Sequence, residues 1–208
     1  MIQINRMCWN ETVSINTFIF STFAIIFAYY NNIITIFQGL FLFSVFSMQL
    51  LEFFLWRNIS DKKKNEFYSR IAGVVLISQP FFSLLTLTNP VIKYVTVTSY
   101  IIFSVLVNVF PLLQSKQPYK TSVGKNGHLR WDWVSTNPFK ISVYMLGLFI
   151  PLLFWKHKII FVIGFVTLLA SVILYRKDKT WGSLWCWSVN IISLYLIYCV
   201  FAKEFCKV

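Results

Sequence analysis

Charge is scarce in this chain. Only 12% of its 208 residues are charged, about half the share usual in soluble domains, which excludes a soluble globular domain. Histidine is nearly absent too: His128 and His157 are the two in the sequence. The segment order puts them on opposite faces of a membrane, which excludes a multi-histidine zinc site. No lysine lies between Trp181 and Ala202, so the last segment cannot form a retinal Schiff base. The four cysteines, Cys8, Cys186, Cys199 and Cys206, form no CxxC pair, leaving Cys8 and Cys186 as expected thiols and a 199–206 disulfide open. A mixed site of Cys8, His128, Cys186 and Glu52 lacks any standard ligand spacing. A Ser-His-Asp triad on His128 and Asp132 would sit in a loop without a serine elbow. No metal and no cofactor is therefore expected. Repeats and low-complexity stretches are missing, and so is the polar–apolar alternation of a membrane β-barrel.

What the chain has is apolar length: 57% of it is hydrophobic and 19% aromatic. Seven runs, at about 12–30, 33–56, 71–88, 91–113, 139–155, 159–175 and 181–202, are long enough to cross a ~30 Å hydrocarbon layer as helices. The third, fifth and sixth are near the lower limit. The reading is a single all-α transmembrane domain, residues 1–208, built as a seven-helix bundle. The first run follows Arg6 and is longer than a signal-peptide core, with no clean cleavage site, so it is expected to be retained.

The net charge of +12 reads as orientation and not as a nucleic-acid surface, since no basic–aromatic binding face is laid out. Fourteen of the nineteen Lys and Arg residues fall in one set of alternate loops, against five in the other set. The positive-inside rule then predicts a cytosolic N-terminus and an exoplasmic or lumenal C-terminus. The expected partners are the bilayer itself and anionic lipid on the basic face, besides an unidentified small molecule or ion. The turns on the other side are the short NN, NP and KHK, with a helix break expected at Asn89-Pro90.

Polar residues inside the runs mark where a site could lie. At 100° per residue, Gln38, Gln49 and Glu52 share one stripe of the second helix. Glu52 lies about 6 Å in from the cytosolic end and Gln49 about 10 Å. On the last helix Ser183, Cys186, Trp187, Asn190 and Ser193 share one arc, with Trp181 and Trp185 pointing the other way, towards an interfacial belt. Gln79, followed by Pro80, lies at a similar depth on the third helix, Asn108 near the end of the fourth, and Glu11 and Ser14 at the start of the first. The loop GKNGHLRWDW supplies His128 and Trp131. Five separate segments thus place polar and aromatic groups in the cytosolic half, while the far half is nearly featureless. The expected site is a polar, aromatic vestibule formed by Glu52, Gln49, Gln79, Asn108, His128, Trp131, Cys186, Trp187, Asn190 and Glu11. Interhelical hydrogen-bond glue is the competing role for Gln38, Gln79 and Asn108.

Several short strings, met together, resemble a known family. Met7-Cys8-Trp9-Asn10-Glu11 with Val13-Ser14 is similar to an M-C-W-[S/N]-x-x-V-S opening. Glu52, Gln79-Pro80-Phe81-Phe82, Gly127-His128-Leu129-x-Trp131 and Gly182-Ser183-Leu184-Trp185-Cys186-Trp187 continue the likeness over nearly the whole chain. The family is one of small seven-helix membrane proteins of unknown function from bacteria, protists and large DNA viruses. The resemblance implies a seven-helix fold and no particular chemistry. It also implies Met7 as the start, and a large virus as the source fits the AT-rich usage of Ile, Asn, Lys, Phe and Tyr.

Three function classes remain. The first is a carrier or binding protein for a small molecule or ion, preferred over a simple channel because the far half is bare. The second is an intramembrane enzyme with Glu52 as acid or base and Cys186 or Cys8 as nucleophile. The third is a structural or partner-binding membrane protein. A receptor of the G-protein-coupled type is disfavoured by the cytosolic N-terminus and the short tail.

Overall fold

A computed structural model describes residues 10–109, 119–134 and 137–202, with the backbone alone at 108 and 109. The chain is an all-α bundle. Its first two helices are α1 (Glu11–Tyr30) and α2 (Ile36–Arg57), followed by α3 (Lys62–Leu84) and α4 (Pro90–Ser104), which ends in a π-helical turn, Val105–Val109. After a β-hairpin, α5 (Pro138–Phe149) runs into a 3-10 turn, Pro151–Phe154, and α6 (Lys158–Tyr175) follows. The last span is α7 (Trp181–Trp187) and α8 (Val189–Phe201), interrupted at Ser188.

Local chemistry sets these ends. Asn10, Thr35, Asp61, Asn89 and Asn137 each accept a backbone N–H from the first turn of the helix they precede, satisfying donors that no helical carbonyl reaches. Asn89-Pro90 and Asn137-Pro138 pair an N-cap with a proline at the first helical position, where the missing N–H costs nothing. The break expected at Asn89-Pro90 is therefore present. Asn32 takes a left-handed φ of 59°, which lets α1 and α2 turn back on each other in a few residues.

Several expected boundaries move. The third helix starts at Lys62 rather than about residue 71, because Asp61 caps it and Lys62–Arg70 is helical outside the apolar run; hydropathy registers lipid, not helix. The fifth run is broken at Pro151, which lacks the N–H that would continue α5. The seventh is broken at Ser188, whose hydroxyl bonds back to the Trp185 carbonyl at 2.6 Å. Gln38 turns out to close a capping box with Thr35, so its amide belongs to the helix start and not to the stripe of Gln49 and Glu52.

Five spans are long and apolar enough to cross a membrane: α1, α2, Pro90–Val107, α6 and Trp181–Phe201. Pro138–Phe154 is apolar but shorter, and α3 is polar through its first third. The chain is a multi-pass membrane protein. α2 is its hub, with 61% of its apolar window buried against 11% for the α4 span. It packs on α1, α3 and α7, while α3 carries α4 and α5, and α8 lies along α1. At the α1–α8 contact Ser193 donates to Ser21 at 2.9 Å and Asn190 to Thr17 at 3.2 Å. Small hydroxyl residues let helices approach closely and hold them with hydrogen bonds.

The half away from the hairpin is less bare than the sequence suggests. His157 folds inward from the KHK turn, with its ring nitrogens 3.2 Å from the Tyr195 hydroxyl and 3.1 Å from the Ile33 carbonyl oxygen. Trp155 donates to Thr86 at 2.8 Å. A helical wheel covers helices and not turns, so this node was invisible to it.

Burial holds the imidazoles of His157 and His128 below their ordinary value of 6.5. Below that value the unfolded chain takes up protons that the folded chain resists. The melting temperature in detergent should accordingly hold steady above about pH 7 and fall as pH drops through about 6.5. The fall should be shallower in His157→Asn. A melting temperature independent of pH across this range would contradict the burial of both rings.

Candidate functional site

The segment read as a loop is a β-hairpin, buried along one face. Strand β1 (Thr121–Val123) pairs antiparallel with β2 (Leu129–Trp131). The turn closes through a bond from Gly124 N–H to the His128 carbonyl at 2.7 Å, with Gly127 at φ +81°, a conformation other residues rarely adopt. Leu129 is fully buried and Trp131 only 7% exposed.

Two polar clamps seat it. Asn65 of α3 uses its whole amide on Thr121: its Nδ2 donates to the Thr121 carbonyl at 3.0 Å, and its Oδ1 accepts the Thr121 N–H at 2.9 Å. The Ser69 and Thr121 hydroxyls lie 2.8 Å apart, and the Trp133 indole donates to the same Thr121 oxygen at 3.0 Å. On the other side Asn126 donates to Thr180 at 2.8 Å, just before α7. Gly182 allows the Trp131 ring to lie on α7, since a Cβ there would come within 2.7 Å of it.

A cavity of about 290 Å³ lies between α3, α4, α5, the hairpin and the start of α7. It is partly open, and its lining is largely aromatic. Trp131 and Trp133 stack at 5.5 Å, and Tyr119 stacks on Trp133 at 6.1 Å. Tyr100, Tyr144, Trp181 and Trp185 add further rings. Polar groups are few. Gln79 accepts from the Tyr144 hydroxyl at 2.5 Å and donates to the Ser44 carbonyl at 3.4 Å. Lys140 donates to the Val107 carbonyl at 2.8 Å. The buried Trp131 indole N–H has no hydrogen-bond partner among the described residues. At the rim, burial pushes the Tyr119 phenol up, opposed by the Arg70 guanidinium, which lies 5.0 Å from the ring centre.

Of the residues expected to form a vestibule, Gln79, Trp131 and Cys186 line this cavity. Glu52 and Gln49 lie behind it. Each is 2% exposed, with Gln49 Nε2 donating to Glu52 Oε2 at 3.5 Å, and Ser183 and Cys186 of α7 are the neighbours of the carboxyl. The other carboxyl oxygen, Oε1, has no hydrogen-bond partner among the described residues. Arg130 does not reach it, being held 3.0 Å from Asp132.

The remaining candidates are not brought into the lining. His128 sits at the hairpin turn, its ring 6.2 Å from that of Tyr175. Trp187 is 41% exposed, and Asn190 is engaged with Thr17. Glu11 is a surface residue 3.9 Å from Arg57. The Asn108 side chain, Cys8 and the opening motif at residues 7–9 lie outside the described residues. Trp181 and Trp185, expected to face an interfacial belt, instead line the cavity. Trp185 donates to the Gly164 carbonyl at 3.0 Å. A wheel assumes one buried face, whereas α7 is enclosed by α2, α6 and β2. Among the described residues no group of three or more His, Cys, Asp or Glu converges on a point.

The seating of the hairpin can be tested by removing one amide. Asn65→Ala leaves the Thr121 N–H and carbonyl buried without partners, which costs about 1–3 kcal/mol. Hydrogen exchange at residues 121–131 should speed up while helix content holds. Unchanged exchange would show that the clamp does not seat the hairpin.

No family model, curated protein or solved structure matches this chain. The functional reading therefore rests on the geometry of the cavity.

Proposed function

We propose that this membrane protein binds a small, largely apolar molecule in its hairpin-side half and acts as a one-sided binding protein or gated carrier for it. The observation that carries the reading is the aromatic cavity of about 290 Å³, at the lower end of the range for small-molecule sites. Its rings offer stacking faces, and its few polar groups would orient an occupant. Glu52 and Gln49 support this wall from behind and are not contacts themselves. The residues on which the family resemblance rests, among them Gln79, Trp131, Gly182 and Cys186, meet here, and membership of that family is proposed on the same ground.

The charge asymmetry of the loops supports a cytosolic position for the hairpin, and anionic lipid is the proposed partner of the same basic face. In a chain whose own four cysteines are replaced by serine, a cysteine introduced at Lys125, in the hairpin turn, should label with an impermeant maleimide only after the membrane is opened. Labelling from outside intact cells would reverse the orientation and leave the cavity reading unchanged.

The cavity reading is tested by filling it. Gly73 is in the lining, and a Cβ there would meet Tyr119 and Trp133 at ordinary distances of 3.5 and 3.8 Å. Gly73→Leu should fold and abolish the quenching of tryptophan fluorescence that 2-naphthalenemethanol produces in the unaltered protein. Equal quenching in both proteins would mean that the probe binds elsewhere and the reading fails.

A further inference from the structure

Among the described residues the cavity lining carries one charge, and its sign bears on what can occupy it. Among the described residues that line it, Lys140 is the one charged group. Its ammonium spends one of its three donors on the Val107 carbonyl, leaving donors for an occupant. No carboxylate joins it in the lining: Glu52 lies behind, against Ser183. The surroundings do not oppose that sign. Arg70 stands over Tyr119 and Lys120 follows it in the chain. The acids nearby, Glu66 and Asp132, are engaged by Arg70 and Arg130 at 2.7 and 3.0 Å.

Resting on the small-molecule reading above, we propose that the occupant is a small organic anion: a flat apolar ring system bearing one carboxylate or phosphate. The ring lies against the Trp131–Trp133–Tyr119 stack, and the anionic head is held by Lys140. Aromatic walls alone would equally suit a quaternary ammonium, which aromatic cages bind through ring faces. A lysine in the wall opposes that occupant and favours an anion, since charge-assisted hydrogen bonds are about twice as strong as neutral ones.

The test uses three probes of one shape on the full chain in a non-ionic detergent: 2-naphthoate, neutral 2-naphthalenemethanol and 2-naphthylmethylammonium, read by tryptophan quenching. The anion should bind about tenfold more tightly than the alcohol, and the ammonium more weakly than either. Lys140→Gln should remove the anion's advantage while leaving the alcohol's affinity intact, which also shows that the variant is folded. Lys140→Arg should keep it. Equal affinities, or a preference for the ammonium, would overturn the anion while the cavity stands. Octanoate binding as tightly as 2-naphthoate would overturn the flat ring. Binding of none of the three would overturn this inference and the small-molecule reading together.

Discussion

One side-chain amide decides whether this bundle has a site at all. The hairpin's first strand offers α3 a backbone N–H and carbonyl at Thr121, and Asn65 answers both. Buried backbone groups must be paired, and a hairpin of two three-residue strands is marginal by itself. Seated on α3 at Asn65 and on the start of α7 through Thr180 and Gly182, it becomes a wall. Without that seat Trp131 and Trp133 would have nothing to close against, and the space beside α3 would be an open groove.

The same accounting explains the interior of the bundle. Several buried amides, hydroxyls and indoles here are paired between segments: Gln79 with Tyr144, Trp185 with the Gly164 carbonyl, Ser193 with Ser21, Trp155 with Thr86. Such pairs hold helices together where lipid supplies no hydrophobic contrast. Among the described residues the exceptions are scattered: Thr22 Oγ1 on α1 and Ser104 Oγ on α4 are two of them. The Trp131 N–H and Glu52 Oε1 are two more among the described residues, the first on a residue of the cavity wall and the second behind it. Native interiors tolerate few such groups.

Much of the architecture was legible in apolar run length, because a span must be both long and free of charge. Helix ends were legible only where a cap or proline marks them, as at Asn89-Pro90. Lys62–Arg70 was lost because its helix lies outside the apolar run. The depth of the site was legible, since Gln79, Trp131 and Cys186 fall on one side in any alternating arrangement. Its walls were not. The strands at Thr121 and Leu129 are too short for periodicity to register, and the inward turn of Trp185 depends on α6 lying across it. Lys140 was read as one more loop cation, because nothing in its neighbourhood announces that it reaches a cavity. Asn190 shows the opposite failure: a polar residue on the right face and at the right depth, already engaged with Thr17.

The most direct measurement is a density map of the full chain in lipid nanodiscs, at a resolution that separates aromatic rings. The account expects the Trp131–Trp133–Tyr119 stack beside a space bounded by Gln79, Tyr144 and Lys140 that holds density not belonging to the protein. A map in which the protein's own side chains fill that space, or in which the hairpin stands away from α3, would contradict it.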